Sequence, residues 1–225
     1  MTSALDGPRR GPQQLPVRQL VVLLHGYGAD GNDLIGLADP WGEQVPQALF
    51  LSPHAPRPCA ISPRGREWFP LGSGPLRTAE DVAADLREGV AAAADALNAY
   101  LDRELAAVNL DDRALALVGF SQGAAVALHV GLRRPVAEIL AYSGAMGPAP
   151  AVVPDPKPQV FLAHGELDTV VPPAALRAAV AALGAAGVAA RWHLSPGLGH
   201  GIDGHGVTMG GRFLRETLQR PSPLG

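Results

Sequence analysis

The chain has 225 residues, a formal net charge of -3, 17% charged residues and a single cysteine. That length fits one α/β domain with a sizeable core, and the charge offers no footprint for nucleic acid or for an anionic membrane surface. With Cys59 alone there is no intramolecular disulfide framework and no cysteine-based zinc site, and a reducing, cytoplasmic setting is compatible.

Residues 1–16 carry Pro8, Pro12 and Pro16 with Arg9 and Arg10 and lack the apolar stretch of a secretory signal, so they read as a flexible leader. No window approaches the roughly 18 consecutive apolar residues of a membrane-spanning helix, so no stable membrane insertion is expected. Val17 to Leu24 ends in a continuous apolar, largely β-branched and leucine run, the pattern of a strand buried on both faces. A glycine-rich loop, His25 to Gly31, follows directly. It lacks the Gly-Lys-Ser/Thr ending of a phosphate-binding loop, and its glycines are not spaced as a dinucleotide fingerprint.

Ala48 to Leu51 reads as a second strand. Ser52 to Pro75 is rich in proline and glycine yet holds Trp68 and Phe69, which points to an ordered loop. Thr78-Ala79-Glu80-Asp81 has the form of a capped helix start, and Val82, Leu86, Val90, Leu97, Leu101 and Leu105 continue one apolar face to a helix end near Val108. Arg113 to Val118 is the next strand, and Gln122 to Leu132 is a small-residue helix stopped by Pro135. Between them, Gly119-Phe120-Ser121-Gln122-Gly123 has the Gly-x-Ser-x-Gly layout of a nucleophile elbow. In that turn the small flanking residues let the backbone bend sharply and expose the hydroxyl.

Val136 to Tyr142, Gln159 to Ala163 and Val188 to Leu194 are further strands, the last with Val188, Ala190, Trp192 and Leu194 on one face. Pro173 to Ala186 and Gly206 to Leu218 are helices, the second with Met209, Phe213 and Leu218 facing inward. Strands alternating with helices imply a mostly parallel central sheet with right-handed crossovers and helices on both faces, and a site at the carboxyl ends of the strands. The single domain is expected to run from residue 17 to 220, with 221–225 as a tail.

A serine nucleophile needs a base, and the base needs a carboxylate to hold its tautomer. The loop His164 to Pro172 supplies Glu166 and Asp168, and the loop Pro196 to Asp203 supplies His200. Ser121, Asp168 and His200 then follow the nucleophile–acid–base order of α/β-hydrolases.

The chain resembles the phospholipase/carboxylesterase family of small α/β-hydrolases, which includes the acyl-protein thioesterases, and within it the bacterial-type carboxylesterases. The matching stretches are LLHGYGADGNDL (Leu23 to Leu34), Trp68-Phe69, GFSQG (Gly119 to Gly123), YSG (Tyr142 to Gly144), HGELDTVVP (His164 to Pro172) and GLGHGID (Gly197 to Asp203). The resemblance implies Asp168 as the acid, His200 as the base and backbone oxyanion donors at Tyr27 and Gln122, a choice that fits the mechanism. It also implies a role for Trp68 and Phe69 in the acyl pocket and a small-molecule ester or thioester as substrate, with no metal or cofactor required. Leu198 and Ile202 are expected to shape the same pocket, and the short connection from Tyr142 to Gln159 leaves room for a minimal lid only. A homodimer is compatible with the family. The expected activity is that of a serine carboxylesterase or thioesterase, with acyl-protein thioesterase, lysophospholipase and an inactive ligand-binding homologue as alternatives.

Several rival roles stay open at this point. Glu166 is the alternative acid and His205 the alternative base, and His200, Asp203 and His205 could in principle ligate zinc. His25 and His164, each closing a strand before a glycine, are expected to bond loop backbone.

Overall fold

The computed structural model describes residues 4–71 and 79–218. In chain order the elements are β1 (Arg9–Arg10), β2 (Gln19–Leu24), α1 (Gly31–Leu34), α2 (Ala38–Gly42), β3 (Ala48–Leu51), β4 (Arg57–Pro58), β5 (Arg66–Glu67) and α3 (Ala79–Ala107). They continue with β6 (Leu115–Phe120), α4 (Gln122–Gly131), β7 (Glu138–Tyr142), β8 (Gln159–Gly165), α5 (Ala174–Ala185), β9 (Ala190–Ser195) and α6 (Gly204–Leu218). Seven strands form one sheet in the order β1-β3-β2-β6-β7-β8-β9, parallel throughout except for β1, while β4 and β5 make a separate hairpin. This is the mostly parallel sheet with helices on both faces that the strand–helix alternation implies, as the α/β-hydrolase resemblance also does.

The period-two alternation of the strands sorts the core into two layers. Leu20, Val22 and Leu24 of β2, Leu115 and Leu117 of β6, and Ile139 of β7 pack under α3, α4 and α5. Val21 and Leu23, Ala116 and Val118, and Leu140 point the other way, where Trp41 of α2 and Phe213 and Leu214 of α6 cover them. Both faces are covered, which is why the parallel strands are continuous apolar runs. Trp41 also donates its indole N–H to the Val207 carbonyl at 2.9 Å, tying α2 to α6.

Four sequence expectations change here. The segment read as a leader makes fixed contacts from Leu5 onward: Leu5 is buried, β1 pairs with β3, and the Ser52 and His54 amides donate to Pro8 and Asp6 carbonyls at 3.0 and 2.7 Å. Its prolines and arginines masked a two-residue edge strand too short for periodicity to register. The segment between β2 and β3 contains α1 and α2, and the loop after β3 contains the β4–β5 hairpin, neither anticipated. On β9, Trp192 is 56% exposed at the edge of the sheet, although Ala190 and Leu194 on the same face pack against the core. The cap expected at Thr78 and the tail at 221–225 lie outside the described residues, as does the end of the long loop.

The elbow is where sequence and geometry meet most tightly. Ser121 has φ 55° and ψ -114°, a region costly for a residue with a side chain, and α4 starts at the next residue. A Cβ on Gly119 would overlap the Gly123 carbonyl, and a Cβ on Gly123 would overlap the Leu24 and His25 carbonyl oxygens. Those obstacles are backbone and cannot rotate away. Gly123→Ala is therefore expected to lower unfolding free energy by about 1–3 kcal/mol in urea titration, an overpacking cost, whereas Gly184→Ala on α5, where an added Cβ meets open space, should not be destabilising.

Candidate active site

Ser121, Asp168 and His200 come from three loops at the carboxyl ends of β6, β8 and β9. The parallel register puts Gly119 beside Ala141, Tyr142 beside Ala163, and Gly165 beside Ser195, so the loops leave the sheet at one edge. The His200 Nε2 lies 3.0 Å from the Ser121 Oγ, and its Nδ1 lies 2.8 Å from the Asp168 Oδ2. Residues far apart in sequence thus form one continuous hydrogen-bonded chain.

Asp168 is dry yet well solvated by protein. Its side chain has 0% exposure, and desolvation alone would raise its pKa; the bond with His200 and the Val171 and Val170 amides, which donate to Oδ1 at 2.9 Å each, together hold it below the usual carboxylate value. The His164 Nε2 sits 2.8 Å from the Val171 carbonyl and 3.3 Å from the Asp168 Oδ2, fastening the same loop. Glu166 points elsewhere: it is exposed and accepts the Gly197 amide at 3.0 Å. His205 faces His193 with ring centroids 4.9 Å apart and is not in the Ser121 chain. Among the described residues no group of three His, Cys, Asp or Glu is placed to hold a metal ion, so His200, Asp203 and His205 do not assemble as ligands.

The His200 loop is held from below by β7. The Ser143 Oγ donates to the Gly201 carbonyl at 3.2 Å, and the Tyr142 hydroxyl donates to the Gly206 carbonyl at 3.1 Å. The sequence motif YSG contained both residues, but only the fold shows what they brace. Phe120 packs its ring 4.9 Å from the His200 imidazole.

On the other side of the elbow lies the loop after β2. An added Cβ at Gly26 would stand 3.5 Å from the Ser121 Cβ, so this loop abuts the nucleophile elbow. The β4–β5 hairpin clamps it: the Gly28 amide donates to the Arg66 carbonyl at 3.0 Å, and the Arg66 amide donates to the Ala29 carbonyl at 2.7 Å. The Tyr27 hydroxyl is pushed up to about 12, chiefly by its bond with the Cys59 thiol, then by burial and by the Glu67 carboxylate. Gln122 is also tied down, because its Oε1 accepts the Trp68 amide and its Nε2 donates to the Phe69 carbonyl, both at 2.8 Å.

Trp68 and Phe69 are buried in the α3-side core, and the Trp68 indole donates to the His25 carbonyl at 2.9 Å. Their side chains pack the core, while their main-chain N–H and C=O reach the site through Gln122. Ile202 lines a cleft of about 360 Å³ with Phe120 and Gly201, and Leu198 lines a smaller adjoining space that shares Gly201 and Ile202.

His25 shows how the site's floor depends on pH. Its Nε2 accepts the Ala55 amide at 3.0 Å, which leaves Nδ1 as the donor to the Gly26 carbonyl at 2.8 Å. Burial lowers its pKa from 6.5 to about 4, against the weaker pull of its Gly26 bond. The unfolded chain takes up this proton near 6.5 while the folded one resists until about 4. Stability is therefore complete above 6.5 and is lost as pH falls through that window, by on the order of 3 kcal/mol at its lower end. Urea titrations at pH 7.5, 5.5 and 4.5 should show a steeper decline for the wild type than for His25→Asn.

Comparison with known proteins places this geometry. The model of the phospholipase/carboxylesterase family matches residues 11–218. The crystal structure of esterase PE8 superposes with a TM-score of 0.86 at 39% identity, covering 95% of this chain and 99% of that one. Esterase YpfH of Escherichia coli (strain K12) is 27% identical over 214 residues, 91% of this chain and 85% of its own. Acyl-protein thioesterase 1 of Gibberella zeae is 26% identical over 236 residues, 97% of this chain and 98% of its own. With a family match that spans nearly all of the sheet and every loop of the site, the chain belongs to the phospholipase/carboxylesterase family and is an esterase-type hydrolase.

Proposed function

We propose that the protein hydrolyses small-molecule carboxylic esters through a covalent acyl-enzyme, with Ser121 as nucleophile, His200 as general base and acid, and Asp168 as its carboxylate partner. The observation that carries this reading is the chain from Asp168 through His200 to Ser121 at 2.8 and 3.0 Å. With its Nδ1 proton held by Asp168, the imidazole presents the Nε2 lone pair to the serine hydroxyl. Ser121 Oγ attacks the carbonyl carbon as its proton passes to Nε2. The backbone amides of Tyr27 and Gln122 receive the developing oxyanion, each worth on the order of 3 kcal/mol.

Collapse of the tetrahedral species breaks the bond from the acyl carbon to the leaving oxygen or sulfur, and Nε2 returns the proton to that atom. Water, deprotonated by the same nitrogen, then releases the acid and restores Ser121. Thioesters are a second substrate class, supported by the similarity to acyl-protein thioesterase 1 along almost the full length of both chains. Among the described residues no helix is long and apolar enough to cross a membrane, so substrate is taken from water or from a surface. A cytoplasmic setting fits the buried free thiol of Cys59.

The two acids on the β8 loop give a sharp test. Asp168→Asn should cut kcat on p-nitrophenyl butanoate by about 10³–10⁴ by removing the acceptor that fixes the imidazole tautomer, and Ser121→Ala by at least as much. Glu166→Gln should retain most of the activity, since Glu166 only accepts the Gly197 amide. A Glu166→Gln enzyme as inactive as Asp168→Asn would overturn the assignment of the acid.

A further inference from the structure

The cleft beside the site has a chemistry of its own. It lies on the face of the sheet covered by α1, α2 and α6, and its walls are Leu34, Leu37, Phe120, Ile202 and Val207, with Asp33 as the charged group among the lining residues. Gly36 and Gly201 complete it. At about 360 Å³ it can take a small chain or ring, at the low end of ligand-sized cavities.

Its position relative to the imidazole decides which part of the substrate it receives. Phe120 immediately precedes Ser121 and packs its ring 4.9 Å from His200, and Gly201 and Ile202 immediately follow His200. The cleft therefore opens on the imidazole side of the serine. The loop after β2, which carries the proposed Tyr27 donor, borders the other edge of the Phe120 ring, since an added Cβ at Gly26 would stand 3.0 Å from that ring and 3.5 Å from the Ser121 Cβ. In the tetrahedral species the atom that must lie next to Nε2 is the leaving oxygen or sulfur, because that nitrogen delivers its proton. The group attached to that atom is thus the one nearest the cleft mouth.

We propose that this cleft holds the alcohol or thiol portion of the substrate, and that Asp33 makes it select neutral and cationic leaving groups over anionic ones; the assignment rests on the Ser121–His200–Asp168 reading above. Two features support the charge discrimination. No Lys or Arg stands among the lining residues to offset the carboxylate. Partial desolvation, and then the neighbouring Asp30 carboxylate, raise the Asp33 carboxyl, so a second negative charge stands close to it at the solvent-exposed rim of the cleft. Asp30 itself is engaged as the cap of α1, accepting the Asn32 amide at 2.8 Å. An anionic leaving group would add a third negative charge there, and a cationic one would meet a counter-charge.

The test holds the acyl group fixed as butanoate and varies the alcohol: 3,3-dimethylbutyl butanoate, its cationic isostere butanoylcholine, and the butanoate ester of 3-hydroxypropanesulfonate. Wild-type kcat/KM should be lowest for the sulfonate by about tenfold or more, and Asp33→Asn should raise the sulfonate-to-neutral ratio by about tenfold. Added salt should move the wild-type ratio partway in the same direction. Competitive inhibition by the three free alcohols should rank the same way without any turnover. A ratio within twofold of wild type in Asp33→Asn would sink the charge assignment.

A second variant tests which portion of the substrate is held. An added Cβ at Gly36 meets open space, so Gly36→Leu adds bulk to the wall without forcing neighbours aside. It should discriminate against hexyl relative to methyl butanoate and leave the ranking of methyl esters by acyl length unchanged. A shift in the acyl-length ranking instead would place the acyl chain in the cleft and overturn the proposal. Turnover persisting in Ser121→Ala would overturn the triad reading, and the inhibition ranking in Asp33→Asn would still decide the role of the cleft.

Discussion

The structure depends on the close approach of α4 to the end of β2 and β6. For the helix to begin one residue after Ser121, the chain must reverse over the carbonyls of Leu24 and His25, and only hydrogen at the Cα of Gly123 leaves room. Ser121 absorbs the remaining turn in a left-handed backbone conformation that costs on the order of 1–3 kcal/mol. What holds it there is local and specific. The Ser121 amide donates to the Tyr142 carbonyl at 2.9 Å, and its own carbonyl accepts the Ala124 and Ala125 amides at 3.1 and 3.3 Å. The strained residue is thereby part of both the sheet and the helix, and its side chain is left projecting above them.

Around that fixed point the loops are aligned by polar contacts that cross from one strand end to the next. Ser143 at the end of β7 holds the His200 loop, His164 at the end of β8 holds the acid loop, and His25 at the end of β2 holds the chain after β3. Gln122 completes the ring by joining the elbow to Trp68 and Phe69. Each side chain bonds main-chain groups; those of Ser143, His25 and Gln122 belong to a different loop, while His164 fastens the loop that follows its own strand. Loss of one partner would leave the other unpaired in a dry setting, at about 1–3 kcal/mol, which makes these contacts stricter than their net contribution suggests. The site's geometry is a property of the whole strand-end rim, and no single loop could set it alone.

This division explains what the sequence could and could not reveal. Continuous apolar strands and an alternating helix pattern are local signals, and β3 was legible to the residue, while β2, β6 and α4 were legible to within one or two. The order of Ser121, Asp168 and His200 was visible because each sits in a glycine-marked loop directly after a strand. Short elements escape periodicity for a physical reason: two-residue β1 owes its form to β3 far along the chain, and α1 and the β4–β5 hairpin are too short to show a period of their own. The same holds for Trp68 and Phe69. An aromatic pair in a proline-rich loop gives no hint of direction, and only the packing against α3 turns both rings into the core. Phe120, the variable position within the elbow motif, was passed over, yet its ring forms the boundary between His200 and the cleft.

The exposure gradient along the hydrogen-bonded chain accords with the roles proposed for its members. Asp168 has 0% side-chain exposure and His200 has 19%. A fully buried carboxylate would ordinarily prefer to be neutral, and a neutral acid would be of little use in stabilising an imidazolium. Here the Val170 and Val171 amides replace the lost water, so Asp168 keeps its charge in a low-dielectric setting where that charge acts strongly on the imidazole. In the proposed mechanism His200 has to stay accessible, because it would pass its proton to a leaving group and later take one from water. A dry anion held by the backbone and a partly open imidazole are therefore complementary requirements, and the packing of Phe120 against the ring limits solvent on one side while leaving Nε2 turned toward Ser121.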